Sequence, residues 1–210
     1  MQKSTMAHFR IERSYLRAGR WPIAGIDEAG RGPLAGPVAV AAVILDPDNL
    51  PRGLDDSKVL SMDERERLYA QIMKKALCVS VALSSAREID RINIRQATLT
   101  AMSRAAHGLS LKPMRVLVDG KDVPDGLPCE GEAIIKGDAT SFSIAAASII
   151  AKVTRDRLMN RLAIRFPAYG FDSHAGYGTK AHLAAIEAHG PCPYHRFSFS
   201  PLKPQATELD

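Results

Sequence analysis

Cysteine is scarce in this chain: Cys78, Cys129 and Cys192 are the only three in 210 residues, far apart and without a Cys-x-x-Cys pair. An odd, scattered set makes neither a disulfide framework nor a thiolate metal site, and a reduced cytoplasm is its natural setting. Long apolar runs are missing as well. No stretch approaches the roughly 20 apolar residues of a membrane span, and the longest, Pro37 to Leu45, has the length of a buried strand. The first segment carries Lys3, Arg10, Arg13, Arg17 and Arg20 but no apolar core of signal-peptide length, which argues against export. No internal repeat, low-complexity block or long linker interrupts the sequence. We therefore expect one α/β domain with a mixed sheet, its core at 21–166, a basic extension at 1–20 and a small helical portion with a loose tail at 167–210. Nothing suggests a symmetric interface, and a monomer is the default.

The remaining composition, 46% hydrophobic and 24% charged, is that of an ordinary globular protein able to bury a core. The formal charge of +5 favours polyanionic partners through counterion release, although ordinary solvation explains many such balances equally well.

Five short runs read as strands: Ile23 to Asp27, Val38 to Leu45, Leu77 to Leu83, Arg115 to Val118 and Glu132 to Lys136. Between them, Ser61 and Glu64 form a capping pair ahead of a helix carrying Leu68 and Ile72, and Ile89 to Leu109 has helical spacing throughout. Ser141 to Phe166 is the longest helical pattern, with Phe142, Ala146, Ile149 and Val153 on one face and Arg157, Arg161 and Arg165 on the other. Lys180 to His189 predicts a last helix, stopped by Gly190-Pro191.

Three of these strands run into an acidic residue beside glycine: Asp27-Glu28 before Ala29-Gly30, Asp119 before Gly120, and Asp138 after Gly137. Open sheets place sites at strand ends. Carboxylates gathered beside apolar strands repel one another unless a cation joins them. With no Cys or His at ligand spacing, oxygen donors select hard cations, Mg²⁺ or Mn²⁺, over zinc. Two such ions, about 3.5–4 Å apart, suit phosphodiester hydrolysis. Each residue also has a plainer reading. Asp119-Gly120 can be a simple turn, Asp138 a cap ahead of Thr140-Ser141, and Glu28 a solvated turn residue. Alternation along a strand sends Asp27 and Glu28 to opposite faces, so both reach one site only if the strand ends or bulges there.

The segment IDEAGRGPLAGPV at 26–38 closely resembles the opening motif of ribonuclease HII, and the likeness continues in order. Asp56-Ser57-Lys58, Val118-Asp119-Gly120 and Lys136-Gly137-Asp138 match further blocks, as do Ile144 to Asp156, Gly176-Tyr177-Gly178-Thr179 with His182, and His195-Arg196 before Phe199. The resemblance implies a ribonuclease H-like fold, a mixed five-stranded sheet flanked by helices with a small C-terminal helical part. It implies an endoribonuclease that cuts the RNA strand of RNA/DNA hybrids and incises 5′ of single ribonucleotides in duplex DNA, leaving 3′-hydroxyl and 5′-phosphate ends.

By the same resemblance Asp27, Glu28, Asp119 and Asp138 hold two divalent ions, Mn²⁺ or Mg²⁺. Gly30, Arg31 and Gly32 read the ribonucleotide, Tyr177 stacks on the sugar of the next, deoxy nucleotide, and Lys58 contacts a phosphate. Two glycines permit close backbone approach to a sugar, and a 2′-hydroxyl is what marks RNA at one position. The plain readings are a packed rim aromatic for Tyr177 and a solvated lysine for Lys58. The arginine stripe is a backbone contact or a solvated face, and His174, His182 and His195 are left to the fold. Val59 and Ala175 stand where the family often carries lysine, which removes positive charge.

Overall fold

The computed structural model describes residues 7–54, 57 and 60–203. Five strands, β1 (Ile23–Ala29), β2 (Val38–Ile44), β3 (Cys78–Ser84), β4 (Arg115–Asp119) and β5 (Gly131–Ile134), form one mixed sheet in the order β3-β2-β1-β4-β5. The first three strands pair antiparallel, whereas β4 and β5 run parallel to β1. Among the described residues, seven α-helices accompany them: α1 (Arg10–Arg17), α2 (Met62–Lys75), α3 (Ala86–Ile92), α4 (Ile94–His107), α5 (Phe142–Arg165), α6 (Phe171–His174) and α7 (Lys180–His189).

Strand alternation divides the core into two layers. On one face Ala24, Ile26, Val40, Ala42, Val116 and Val118 pack against Ala97, Ala101, Met102 and Ala105 of α4. On the other, Ala41 and Val43 meet Leu68 and Ile72 of α2 and the alanine-rich start of α5. That start can press onto β1 because Gly25 has no side chain: a Cβ there would stand 2.2 Å from the Ser143 carbonyl carbon. The central strands are buried on both faces, which is why they read as continuous apolar runs.

Three expectations change. The helical pattern from Ile89 to Leu109 is two helices, broken at Asn93. Asn93 adopts a left-handed φ of 63° and its side chain caps α4, accepting from Gln96 N at 3.1 Å, so an asparagine that looks permissible in a helix starts a new one. Second, the basic extension is tied to the core at Ala7, Phe9 and Glu12, while most of 13–20 is exposed. Phe9 lies edge-on to Trp21, and the buried Glu12 accepts from Ser141 Oγ at 2.6 Å and Ser143 N at 2.8 Å, closing the N-terminus of α5. Third, the fifth strand stops at Ile134. Lys136 turns left-handed and a 3₁₀ turn, Gly137–Ala139, carries Asp138. The cap of α5 is Ser141, which accepts from Ile144 N at 3.2 Å.

Residues 167–195 fold onto the second half of α5 around Met159, Tyr169, Phe171 and Cys192. Among the described residues, no helix is long and apolar enough to cross a membrane.

Candidate active site

The parity of the strands decides which carboxylates meet. On β1, Ala24 and Ile26 face α4, so Asp27 faces α5; on β4, Val116 and Val118 face α4, so Asp119 faces α5 as well. The parallel register that pairs Ile26 with Val118 sets Asp27 beside Asp119. Asp119 Oδ1 accepts from Gly137 N at 2.7 Å and Asp138 N at 3.4 Å, which draws the 3₁₀ turn against the strand end. One carboxylate oxygen from each of Asp27, Asp119 and Asp138 thus lies within 4.8 Å of the others. Asp27 and Asp138 are buried.

Glu28 stands differently from expectation. β1 neither bulges nor ends before it: the pairing with β2 continues through Glu28 to Ala29. Strand parity starts Glu28 from the α4 face, yet at the end of the strand it borders the same cleft as Asp27 and Asp119, and Arg31 Nη1 lies 3.4 Å from its Oε1. Burial, together with the neighbouring Glu28 and Asp119 charges, pushes the Asp27 carboxyl well above the usual range, against the lowering pull of hydrogen bonds from Glu28 N and Ser148.

The cluster opens into a cleft of about 300 Å³ lined by Asp27, Glu28, Gly30, Arg31, Gly32, Ser57, Asp119, Ser148, Lys152, Arg155 and Tyr177. A smaller hollow of about 140 Å³ continues past Glu28 and Asp119 to Arg95, Lys121 and Asp122. The larger groove between Leu83, Leu158 and Tyr194, about 500 Å³, is mainly apolar; its carboxylate, Glu88, is already paired with Arg104. Chemistry belongs to the acidic cleft.

Two buried arginines shape the cleft wall. Arg196 donates from Nη1 to the Arg31 carbonyl at 2.8 Å, from Nη2 to those of Gly30 at 2.6 Å and Gly36 at 2.9 Å, and from Nε to Gly36 at 3.0 Å. Arg155 reaches the carbonyls of Pro37, Ala175 and Ala35 at 2.9–3.0 Å. Gly30 has φ +95°, and a Cβ there would fall 1.9 Å from Arg155 Nε. A Cβ at Gly176, φ +82°, would fall 2.5 Å from the Ala35 carbonyl oxygen, and the Gly176 carbonyl accepts from Leu34 N at 2.8 Å. These contacts bring Tyr177, about half exposed, opposite Gly32. Burial lowers both guanidinium pKa values, that of Arg196 to about 9 with Arg155's like charge adding to the effect.

A family model described as Ribonuclease HII matches residues 24–201. The chain belongs to the ribonuclease HII family. A ribonuclease HII of Agrobacterium fabrum is 60% identical over 195 residues, covering 93% of this chain and 89% of the relative. Among solved structures, the ribonuclease H2 of Pyrococcus horikoshii superposes with a TM-score of 0.74 at 30% identity, covering 86% of this chain and 94% of that one. The ribonuclease HII of Archaeoglobus fulgidus, solved in complex with PCNA, gives 0.73 at 32% identity, covering 90% and 98%. As a ribonuclease HII family member the chain is a hydrolase, a nuclease of the ribonuclease H type, and its mixed five-stranded sheet flanked by helices is the fold of these relatives.

Of the residues that sequence reading assigns to ribonuclease HII chemistry, Asp27, Asp119 and Asp138 meet, and Glu28, Gly30, Arg31, Gly32 and Tyr177 line the same cleft. Lys58 and Val59 lie outside the described residues. The arginine stripe is elsewhere: Arg157 pairs with Glu66 and lies over Tyr69, while Arg161 and Arg165 border the apolar groove. Sequence reading missed Lys152, Arg155 and Arg196. One signal was present, since Arg155 falls in helical phase with Ser148, Ala151 and Met159, the buried side of α5.

Proposed function

We propose that this protein hydrolyses the RNA strand of RNA/DNA hybrids and incises duplex DNA on the 5′ side of an embedded ribonucleotide, leaving 3′-hydroxyl and 5′-phosphate ends. The observation that carries it is the cluster of three aspartates within 4.8 Å, two of them buried, facing a cleft rimmed by a glycine loop and an exposed tyrosine.

The donor set fits hard divalent cations. All donors are carboxylate oxygens, and their mutual repulsion, which adds to the effect of burial at Asp27, is what bound Mg²⁺ or Mn²⁺ would relieve. Asp27, Asp119 and Asp138 would hold the ions, with Glu28 completing the set from the neighbouring face. Bound there, two ions would supply an activated water and stabilise the leaving oxygen.

The chain's own residues do the rest. Gly30, closed against Arg155, and Gly32 bring their backbone to the cleft, where a 2′-hydroxyl can be sensed. Arg31, with Lys152 deeper in the cleft, offers positive charge to a phosphate. Lys58, next to the described Ser57, belongs to the same proposal as a phosphate contact. Tyr177 presents a ring face to the adjoining deoxyribose. The substrate is thus an RNA/DNA hybrid or a ribonucleotide-containing duplex, and the protein works as a monomer in the cytoplasm, a setting suggested by its three unpaired cysteines. The proposal divides the chain into a basic N-terminal extension at 1–20, a catalytic core at 21–166 and a C-terminal helical portion with its tail at 167–210.

The test is cleavage of a labelled DNA duplex carrying one ribonucleotide, with Mg²⁺ or Mn²⁺, beside all-DNA and long-hybrid controls. One nick 5′ of the ribonucleotide is expected. Cleavage of the long hybrid alone would refute the roles of Gly30, Arg31, Gly32 and Tyr177, and an uncut set would refute the whole reading.

A further inference from the structure

Three histidines sit behind Tyr177, and their hydrogen bonds fix their tautomers. The Tyr177 carbonyl can only accept, so His182, whose Nδ1 lies 2.8 Å away, donates from Nδ1. His182 Nε2 is then an acceptor. It faces His195 Nε2 at 3.0 Å, so His195 donates there. His195 Nδ1 is left as the acceptor for the backbone N–H of Cys192 at 2.9 Å. The chain of donors therefore runs from Cys192 N–H through His195 and His182 to the Tyr177 carbonyl, with every hydrogen in place only if both rings are neutral. His174 stacks on His182 with ring centroids 4.5 Å apart, donates from Nε2 to the Tyr169 carbonyl at 2.8 Å and accepts from Gly176 N at 3.2 Å.

The surroundings favour that state. His182 and His195 are fully buried, Tyr169 and Phe171 pack rings against His195, and Phe171 also packs against His182. The charges of His174 and of His182 act against a proton on the pair, and burial holds His195 down at about 4. A proton added to His182 Nε2 would set two N–H groups face to face, and one added to His195 Nδ1 would give up the 2.9 Å bond from Cys192 N for a longer one, 3.3 Å, to the Cys192 carbonyl.

We propose that His182 and His195 are positioning residues for Tyr177, a pair of neutral imidazoles that anchors its carbonyl and thereby sets the preference for a ribonucleotide–deoxyribonucleotide junction. The proposal rests on the reading of Tyr177 given above. Within the turn Thr179 N also donates to the Tyr177 carbonyl, at 2.8 Å, and Tyr177 N donates to His174 O at 2.9 Å; what the histidines add is the tie between this turn and the chain around Cys192. Neither imidazole lines the cleft, so the effect travels through the backbone of Tyr177.

The measurement is the ratio of kcat/KM on a one-ribonucleotide duplex to that on a long RNA/DNA hybrid. Loss of one buried hydrogen bond translates to a fall of about tenfold in this ratio for His182→Leu, with hybrid cleavage retained. His182→Asn, whose amide can replace the Nδ1 donor, should restore the ratio to within about threefold. A purely structural role lowers both substrates together and leaves the ratio intact, which would overturn the proposal. Tyr177→Ala separates the two levels. If it lowers the ratio while His182→Leu does not, the histidine pair is refuted and the reading of Tyr177 stands; if Tyr177→Ala leaves the ratio unchanged, both fall. Should His182→Leu fail to fold, ¹⁵N spectra of the wild-type histidine rings decide: Nδ1–H on His182 and Nε2–H on His195 at neutral pH support the proposal, and the opposite tautomers overturn it.

Discussion

Asp27 and Asp119 project from neighbouring strands at the middle of the sheet, while Gly30–Gly32 and Tyr177 lie on loops stitched together from behind by Arg155, Arg196 and the histidine pair. In the first region the backbone is fixed by the sheet ladder and the side chains are in electrostatic conflict. In the second the side chains facing the cleft are relaxed and the backbone needs external support, which comes from donors aimed at its carbonyls. Strands can hold like charges together because the ladder does not depend on them. Loops have no ladder, and a buried side chain that serves several carbonyls at once takes its place. The difference predicts that damage to the first region removes chemistry and leaves the fold, whereas damage to the second removes stability.

The largest effect should come from Asp27→Asn. Cleavage in Mg²⁺ should fall by at least about a thousandfold, as expected when a group central to the charge balance of the reaction is lost, and the fold should survive. Stability should move the other way in metal-free protein. The folded-state pKa of Asp27 is raised, so ionisation costs folding free energy once pH rises above the unfolded value near 3.8. Asp27→Asn removes that cost. Its melting temperature should exceed wild type at neutral pH, and the difference should close as pH falls through the acid range. Added Mg²⁺ should raise the wild-type melting temperature and do less for the variant.

Next in size is Arg196→Met, which strips donors from the carbonyls of Gly30, Arg31 and Gly36. Leaving such acceptors unsatisfied costs on the order of 3 kcal/mol. Chemical denaturation reads this directly, and an unchanged midpoint would show that the loop supports itself.

Glu12→Ala tests whether the first region, too, has a support on which stability depends. The carboxylate closes the start of α5, next to the turn that carries Asp138, and its loss should cost about 1–2 kcal/mol. The smallest effect is expected at Arg157. Its ion pair with Glu66 is half exposed, so Arg157→Ala should change stability by less than about 1 kcal/mol and leave cleavage alone. A marked loss of activity there would return the arginine stripe to the substrate path.

Legibility in the sequence divides along the same line. The strands stood out because β1, β2 and β4 are apolar runs, and Asp27 and Asp119 stood out because an acid ending such a run is costly without a purpose. Capping chemistry located α2 through Ser61 and Glu64, and the structure shows the reciprocal pair of hydrogen bonds. Glu28 was harder. Its face depends on whether the strand continues, and continuation is decided by pairing with Val40, a contact distant in sequence. Asn93 was read through because helical spacing persists on both sides of it. Arg155 and Arg196 look like any surface arginine until the loops that need their donors are folded around them. The packing of residues 7–20 was hidden for a related reason: the prominent arginines are the solvated side of that segment, and Phe9 and Glu12 carry its contacts.

The most direct test of the central claim is a calorimetric titration of Mn²⁺ into metal-free protein at neutral pH, comparing wild type with Asp119→Asn. Saturable binding by the wild type, weakened at least about tenfold in the variant, is the predicted result, in line with the loss of one carboxylate ligand from a hard-cation site. Equal affinity in the two proteins would contradict a metal centre built on Asp27, Asp119 and Asp138.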